Sequence, residues 1–249
     1  MPDADAEQAA RAWQSADADV ESPAVDRASA RYQGRVSSPT TVIWTDFGGV
    51  LTPPVDDALR RVADAARVPP EELLGAIGRV AAEDDADLLE PLERGWISQR
   101  DWGRRVTVAL APGWVPAIDL GSFGDYWYAD RPFNTVLYEA LLAARTSGLR
   151  LGMLTNSVRE WEVHRARMIP DRTVFDRIVN SHEVGVRKPD PAIYRLAERS
   201  LGVSAGECLL IDDLPGNCAA AIACGWRAIR HVDTGTTVTA LGNLLETSW

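Results

Sequence analysis

The residues best suited to chemistry are polar or charged side chains that follow apolar runs or precede a predicted helix. They are Asp46, Thr155 with Asn156, Lys188, and the adjacent pair Asp212 and Asp213. Each alone has an ordinary explanation, because Asp and Thr often cap helices and turns, and a loop lysine is usually solvated. Together they offer three carboxylates for a hard cation, and a lysine and a hydroxyl for an anion. That set fits phosphoryl transfer through an aspartyl-phosphate, with Mg²⁺ bridging carboxylate and phosphate.

Two glycines stand close to the first of these residues. Asp46 is followed by Phe47, Gly48 and Gly49. Because glycine has no side chain, both glycines are expected where the backbone approaches a substrate or a metal closely. The run before Asp46 is apolar and β-branched, which is typical of a buried parallel strand that ends at the ligand-binding edge of an α/β sheet.

Strands and helices alternate in the part of the chain that carries these residues. Strands are predicted at residues 42–46, 149–155, 177–180, 208–212 and 227–231. Apolar residues at helical spacing follow Phe133, and again follow Pro191, where Asp190 is the predicted N-cap. The alternation predicts an α/β fold of the doubly wound, Rossmann-like kind, with helices on both faces of a parallel sheet.

The interval from about 55 to 130 carries helical patterns and no strand signal. Helices are predicted at residues 56–67, 71–83 and 98–110, separated by prolines. Ser98 and Asp101 resemble an acidic variant of a capping box. A helical insertion directly after the first strand would stand over the sheet edge as a lid.

These patterns divide the chain into three predicted parts. Residues 55–130 are the helical cap domain, and residues 39–54 and 131–249 together are the core domain. Residues 1–38 are rich in Ala, Asp, Ser and Arg and carry few large apolar groups. We predict that they form a disordered tail, with one transient helix around residues 5–16.

Taken in order, the motifs around Asp46, Thr155, Lys188 and Asp212 are similar to those of the haloacid dehalogenase-like (HAD) hydrolase superfamily. The resemblance covers about residues 40–235 and includes all four family motifs in sequence order. The helical insertion falls where the family's first-type cap belongs. The resemblance implies a phosphatase-type enzyme that binds Mg²⁺ and hydrolyses a small phosphorylated metabolite through an aspartyl-phosphate.

The resemblance also implies a role for each catalytic residue. Asp46 would be the nucleophile that accepts the phosphoryl group. Thr155 and the N–H of Asn156 would bind that group, and Lys188 would orient Asp46 and neutralise the developing charge. The full set of phosphate-binding residues that the resemblance implies is Asp46, Phe47, Gly48, Thr155, Asn156 and Lys188.

The implied metal site consists of oxygen ligands from three parts of the chain. Asp46 would contribute its second oxygen and Gly48 its main-chain carbonyl, which requires no particular side chain. Asp213 is the better candidate for direct ligation, and Asp212 for a direct or water-mediated contact. The sequence does not separate these two roles.

The chain departs from the family pattern at Gly48, where phosphatases of the family usually carry a second Asp. That residue acts as general acid and base, which contributes about 10²–10⁴-fold to the rate. The substrate could have a good leaving group, such as an anomeric or acyl phosphate, or an acid from the cap could substitute. The cap acids considered are Asp56, Asp57, Glu83, Asp84 and Asp85. Two further explanations are a ligand-binding or regulatory protein with little turnover, and metal-free carbon–halogen hydrolysis, which the Asp212–Asp213 pair disfavours.

Composition and charge narrow the classes of partner that the protein is expected to bind. The net charge of −10 and the lack of a basic stripe disfavour nucleic acid. No apolar run reaches the roughly 18 residues that span a bilayer, and the amino terminus lacks a signal-peptide pattern. Three cysteines without metal-type spacing favour a cytoplasmic protein with buried thiols. A small phosphorylated substrate is the expected partner, and the choice between monomer and homodimer stays open.

Overall fold

The computed structural model of the protein describes residues 38–246. Five strands form its central sheet: β1 Val42–Thr45, β2 Arg150–Thr155, β3 Arg177–Asn180, β4 Cys208–Asp212 and β5 Arg227–Arg230. All neighbouring pairs are parallel, in the order β3-β2-β1-β4-β5. The predicted α/β class and its parallel sheet are therefore confirmed. The predicted tail lies outside the described residues except for Ser38, and so does its transient helix.

Eleven helices accompany the sheet within residues 38–246. In chain order they are α1 Val55–Ala66, α2 Pro70–Glu83, α3 Glu90–Glu93, α4 Gln99–Ala109, α5 Phe123–Trp127, α6 Thr135–Thr146, α7 Glu162–Met168, α8 Ser181–Val184, α9 Pro191–Leu201, α10 Pro215–Ala223 and α11 Thr234–Glu246. Asp190 caps α9 by accepting a hydrogen bond from the N–H of Ala192, as predicted. None of these helices combines the length and the apolar content that crossing a bilayer requires.

Both faces of the sheet are covered by apolar side chains. On one face, Ile43 and Leu151 pack in a cluster that also holds Leu137 of α6. On the other face, Trp44 packs with Ile193 of α9 in a second cluster. Alternate residues of β1 thus face opposite layers, which explains why this strand is apolar throughout. The buried strands fix the position of whatever follows their carboxyl ends.

The segment between β1 and β2 is helical and carries its own apolar cluster. Helices α1, α2 and α4 agree with the predicted ranges to within one residue at either end. The cluster includes Trp102 and Phe123 of this segment, and also Trp161, which follows β2. Ser98 caps α4 by accepting a hydrogen bond from the N–H of Asp101, but the Asp101 carboxylate accepts from the Ser98 hydroxyl instead of the Ser98 N–H. The predicted capping box is therefore half formed, and the division into domains stays a prediction.

Hydrogen bonds join the two connections through which the chain passes between this segment and the sheet. The Arg131 guanidinium donates hydrogen bonds to the carbonyl oxygens of Pro53 and Pro54. The Asn134 N–H donates to the Leu51 carbonyl at 2.8 Å. The helical segment therefore leaves and rejoins the sheet at one place, close to the end of β1.

Candidate active site

Three carboxylates converge where β1 and β4 end. Asp46 follows β1 directly, and Asp212 is the last residue of β4. The two strands are neighbours, and the N–H of Asp46 donates to the Ile211 carbonyl at 2.9 Å. One carboxylate oxygen from each of Asp46, Asp212 and Asp213 lies within 4.8 Å of the others. The chain changes direction across the sheet between these strands, which is where open α/β sheets bind ligands.

Lys188 is buried between two of these carboxylates. Its Nζ lies 3.1 Å from Asp46 Oδ2 and 2.5 Å from Asp212 Oδ2, and its side chain is 0% exposed. Burial alone would lower the pKa of Lys188, but the charges of Asp212 and Asp46 outweigh it and raise that pKa. Lys188 therefore stays an ammonium group and a hydrogen-bond donor at neutral pH.

Asp46 is held in a buried position with one oxygen committed to the backbone. Its Oδ1 accepts a hydrogen bond from the N–H of Phe47 at 2.7 Å. Burial raises the pKa of Asp46 to about 6, although Lys188 lowers it. The carboxylate is thus mostly ionised at neutral pH, as a nucleophile must be.

The structure distinguishes the two adjacent aspartates. Asp212 Oδ2 contacts Lys188, and its Oδ1 accepts hydrogen bonds from the Leu214 N–H and from Asn217 Nδ2 at 3.0 and 2.9 Å. Both oxygens of Asp212 are therefore engaged by the protein itself. Burial, followed by the charges of Asp212 and Asp46, raises the pKa of Asp213 to about 8. Because both oxygens of Asp212 are engaged, Asp213 is favoured over Asp212 as a direct metal ligand.

The donor set fits a hard divalent cation. Three carboxylates face one ammonium group, so the site is short of positive charge when all three ionise. Oxygen ligands at the end of parallel strands are the kind that Mg²⁺ prefers. Asp46, Asp212 and Asp213 each present an oxygen close enough to share such an ion, and the Gly48 carbonyl stays a predicted ligand.

Only one of the two glycines is required by contacts within the protein. Gly49 has φ +73°, and a Cβ there would lie 1.9 Å from Asp213 Oδ2. A side chain at Gly49 would displace that carboxylate. A Cβ at Gly48 would meet Val55 Cγ1 at an ordinary 3.8 Å. The expected close backbone approach is therefore found at Gly49, and the protein leaves room for a side chain at Gly48.

The Asn156 side chain holds the backbone that carries Lys188. Its Nδ2 donates to the Lys188 carbonyl at 2.9 Å, and its Oδ1 accepts from the Lys188 N–H at 2.8 Å. Thr155 precedes it at the end of β2, buried, with its hydroxyl donating to the Asn156 carbonyl at 3.3 Å. Sequence reasoning expected a role for the Asn156 N–H and missed this amide bridge, because nothing in the sequence shows which loop its side chain meets.

A cavity of about 1300 Å³ extends from the helical segment to Asp213. Its wall includes Gly49 and Asp213 from the core side, and Asp56, Leu88 and Glu93 from the helical side. Among the acids considered from sequence, Asp56 lines this cavity. The sequence did not single out Glu93 as a candidate acid, and the structure places it on the same wall.

Other acids of the helical segment are engaged elsewhere. Arg105 forms ion pairs with Glu83 and Asp84 at 2.9 and 2.8 Å. Arg60 lies 3.7 Å from Asp57 on an exposed surface. These pairs make Glu83, Asp84 and Asp57 poor candidates for a role at the sheet edge.

Arg187, next to Lys188, connects the core to the helical segment. Its guanidinium lies 3.3 Å from Asp87, 3.4 Å from Glu90 and 3.2 Å from Glu93. All three acids belong to the segment that includes α3. The loop that positions Lys188 is therefore also a contact point for the cap.

The motif order, the fold and this convergence agree with the comparisons. A family model described as haloacid dehalogenase-like hydrolase matches residues 40–225. The chain belongs to the haloacid dehalogenase-like hydrolase family. This HAD-like hydrolase is 32% identical over 117 residues to a phosphatase from Mycobacterium tuberculosis, a match that covers 43% of the chain and 53% of that relative. The chain thus spans about half the length of that relative.

Two solved structures show the same fold as this HAD-like hydrolase. A HAD-like family hydrolase from Porphyromonas gingivalis has a TM-score of 0.63 at 22% identity, covering 84% of this chain and 98% of that one. A HAD family enzyme from Bacteroides thetaiotaomicron, solved in complex with magnesium and inorganic phosphate, has a TM-score of 0.57 at 19% identity, covering 77% and 93%. At these identities the likeness concerns the fold alone.

Proposed function

We propose that this HAD-like hydrolase is a Mg²⁺-dependent phosphatase that acts on a small phosphorylated metabolite through phospho-Asp46. The observation that carries the proposal is the convergence of Asp46, Asp212 and Asp213 around the buried ammonium of Lys188. The similarity to a phosphatase from Mycobacterium tuberculosis also supports it.

In the first step, a carboxylate oxygen of Asp46 forms a bond to phosphorus while the bond from phosphorus to the leaving oxygen breaks. Lys188 holds Asp46 from one side and offsets the negative charge that gathers on the phosphoryl oxygens. Mg²⁺, held by Asp46, Asp213 and the Gly48 carbonyl, would supply further charge neutralisation when bound.

The phosphoryl group needs hydrogen-bond donors that remain fixed during transfer. Thr155 and the N–H of Asn156 are proposed as these donors, since they follow β2, the neighbour of β1. The Asn156 amide bridge keeps the Lys188 loop beside them. In the second step, a water oxygen bonds to phosphorus and the bond to Asp46 breaks, which regenerates the carboxylate and releases phosphate.

A ligand-binding or regulatory protein with little turnover is the second candidate. The observation that favours it is Gly48, which supplies no acid or base at a position where a side chain would fit. Carbon–halogen hydrolysis without a metal is disfavoured, because the pKa of Asp213 is raised to about 8 by burial and by the neighbouring carboxylates. A metal-free mechanism has no evident use for such a costly arrangement.

A panel of phosphorylated metabolites separates these candidates. Wild type, Asp46→Asn and the control Asp85→Asn are assayed with Mg²⁺ and with EDTA. Asp85 is exposed and has φ 49°, a conformation that Asn accepts, so this control removes one charge from the surface. We expect Mg²⁺-dependent phosphate release by wild type and Asp85→Asn, and at least a 10³-fold loss in Asp46→Asn.

Two results would contradict the phosphatase proposal. Turnover that Asp46→Asn retains would remove Asp46 from the mechanism. Binding of a phosphorylated metabolite by wild type, without release of phosphate from any member of the panel, would support the regulatory candidate instead.

A further inference from the structure

Glu93 combines burial with a place on the cavity wall. It is the last residue of α3, and its side chain is 16% exposed. It lines the same cavity as Gly49 and Asp213. A ligand that filled this cavity and reached the carboxylates would therefore pass close to a cap carboxyl group.

Burial favours the protonated form of Glu93 more than is usual for a glutamate. Burial raises the pKa of Glu93, while Arg187 and Lys188 lower it, and Glu90 and Asp87 raise it again. The net pKa lies above its ordinary value. The influence of Lys188 also shows that Glu93 lies within electrostatic range of the lysine that holds Asp46.

The pKa of Glu90, on the same short helix, is shifted in the opposite direction. Although burial opposes it, hydrogen bonds from the Asp87 N–H and from Arg94 lower the pKa of Glu90. Glu90 also contacts Arg187, at 3.4 Å. The two glutamates therefore share a cationic partner, but Glu93 is the one more ready to carry a proton.

We propose that Glu93 is the general acid and base that replaces the missing carboxyl at residue 48; this rests on the proposed phosphatase function. In the first step the Glu93 carboxyl gives its proton to the leaving oxygen as the bond to phosphorus breaks and the bond from Asp46 forms. Arg187 Nε, 3.2 Å from Glu93 Oε2, stabilises the carboxylate that remains. In the second step this carboxylate takes a proton from the attacking water, which restores the acid.

Two esters of nearly equal shape test the proposal. Phenyl phosphate has a poor leaving group that needs a proton, whereas p-nitrophenyl phosphate has a good one. With Mg²⁺ present, Glu93→Gln should lower kcat/KM for phenyl phosphate about 10²-fold and change kcat/KM for p-nitrophenyl phosphate less than about threefold, because kcat/KM reports the first step and not the hydrolysis of phospho-Asp46, which both esters share. The alkaline limb of the kcat/KM–pH profile for phenyl phosphate should also disappear.

Three variants separate proton transfer from structural effects. Glu90→Gln removes another contact of Arg187 and should leave the ratio of the two rates unchanged. Asp56→Asn tests another acid of the helical segment on the cavity wall and should also leave that ratio unchanged. Gly48→Asp in the Glu93→Gln background should restore turnover of phenyl phosphate, because the protein leaves room for a side chain at Gly48.

The possible failures are distinguishable. An equal loss of kcat/KM for both esters in Glu93→Gln, or a leaving-group effect in Asp56→Asn instead, would overturn the role of Glu93 and leave the phosphatase proposal intact. No turnover by the wild type of either ester or of any phosphorylated metabolite in the panel would overturn both proposals.

Discussion

Three carboxylates and one ammonium group leave the sheet edge short of positive charge. The pKa values of Asp46 and Asp213 are raised to about 6 and about 8, and burial is the largest cause of each. Lys188 compensates two of the three carboxylates by direct contact. The negative charge of the site therefore exceeds what Lys188 offsets, and the proposed function has Mg²⁺ supply the further positive charge.

Gly49 offers a direct test of how the Asp213 carboxylate is accommodated. Gly49→Ala should abolish the rise in melting temperature that Mg²⁺ produces, because a Cβ there would overlap Asp213 Oδ2. It should also lower stability by about 1 kcal/mol or more, since residue 49 has φ +73°. Thermal unfolding with and without Mg²⁺ measures both effects.

Gly148→Ala is the matched control for this substitution. Gly148 also has a positive φ, +97°, but a Cβ there would meet nothing within 4 Å. Gly148→Ala should lose stability for conformational reasons and keep the full response to Mg²⁺. If Gly49→Ala kept that response as well, Asp213 would not be the ligand proposed here.

At the level of single residues, the sequence predicted which side chains carry the proposed chemistry. Asp46, Thr155, Lys188 and the aspartate pair are recognisable because they follow buried strands or precede a capped helix in a fixed order. Glu93 could not be predicted in this way, because the chain has many acidic residues and only packing decides which of them is buried beside a cavity. For the same reason, the sequence did not separate Asp212 from Asp213, whereas their hydrogen bonds do.

Among the elements, the ends of β1, β2 and β4 and the loop before α9 determine the site. Strand register brings Thr45 of β1 opposite Met153 and Ile211, so the residues that follow each strand emerge side by side. The Lys188 loop is not part of the sheet and depends on the Asn156 amide for its position. This bridge ties the backbone of the proposed catalytic lysine to the residue that follows β2.

Asn156→Ala should therefore impair catalysis by releasing the Lys188 backbone. We expect kcat for p-nitrophenyl phosphate to fall roughly 10-fold or more, since small displacements of catalytic groups are costly. The free energy of unfolding should fall by about 1–3 kcal/mol, because the Lys188 N–H and carbonyl lose their partners. Denaturant unfolding and steady-state assays measure the two quantities.

Tyr138→Phe controls for loss of stability alone. The buried Tyr138 hydroxyl donates to the Asp171 carbonyl at 2.9 Å, within the cluster on one face of the sheet. Its removal should lower stability with little change in kcat. A matching fall in kcat for Tyr138→Phe and Asn156→Ala would mean that Asn156 acts only through stability.

The strands and the long helices were predicted closely, and the shortest helices were not. The predicted strands and the helices α1, α2 and α4 agree with the structure to within a residue or two, because apolar periodicity and capping residues mark them. Helices α3 and α5 have four and five residues, too few to show a period. Because α3 was not predicted, the sequence did not indicate that Glu93 ends a helix beside the site.

Across the whole molecule, the cap and the core share their contacts with the site. Arg187 joins the Lys188 loop to three acids of the cap, and Trp161 of the core stacks on Trp127 of the cap at 5.1 Å. The alternation of strands and helices predicted the parallel fold, and the helical run predicted an insertion after β1. The sequence predicted that this insertion stands over the sheet edge, but not which of its residues meet the core, because that depends on these long-range pairs.

The stability of the whole protein should depend on pH when Mg²⁺ is removed. The pKa of Asp213 rises from 3.8 to about 8 on folding, so between these values the folded state holds a proton that the unfolded state has released. The free energy of unfolding in EDTA should therefore fall as pH rises from about 5.5 to 7.5, by at most about 1.4 kcal/mol per pH unit for this group.

Denaturant unfolding at the two pH values, in EDTA and in Mg²⁺, measures this dependence. Asp213→Asn should remove most of the slope, and Mg²⁺ should restore the stability of the wild type at the higher pH. Wild-type stability that does not vary with pH in EDTA, or does not respond to Mg²⁺, would contradict the charge balance described for the site.

The central claim is that Asp46 becomes covalently phosphorylated during turnover. Acid quenching of the enzyme during steady-state hydrolysis of p-nitrophenyl phosphate, followed by peptide mass spectrometry, measures this directly. We predict a phosphoryl adduct on the peptide that contains Asp46 in the wild type, and none in Asp46→Asn. Steady turnover with the adduct on another residue, or with no adduct under conditions that accumulate the intermediate, would contradict the claim.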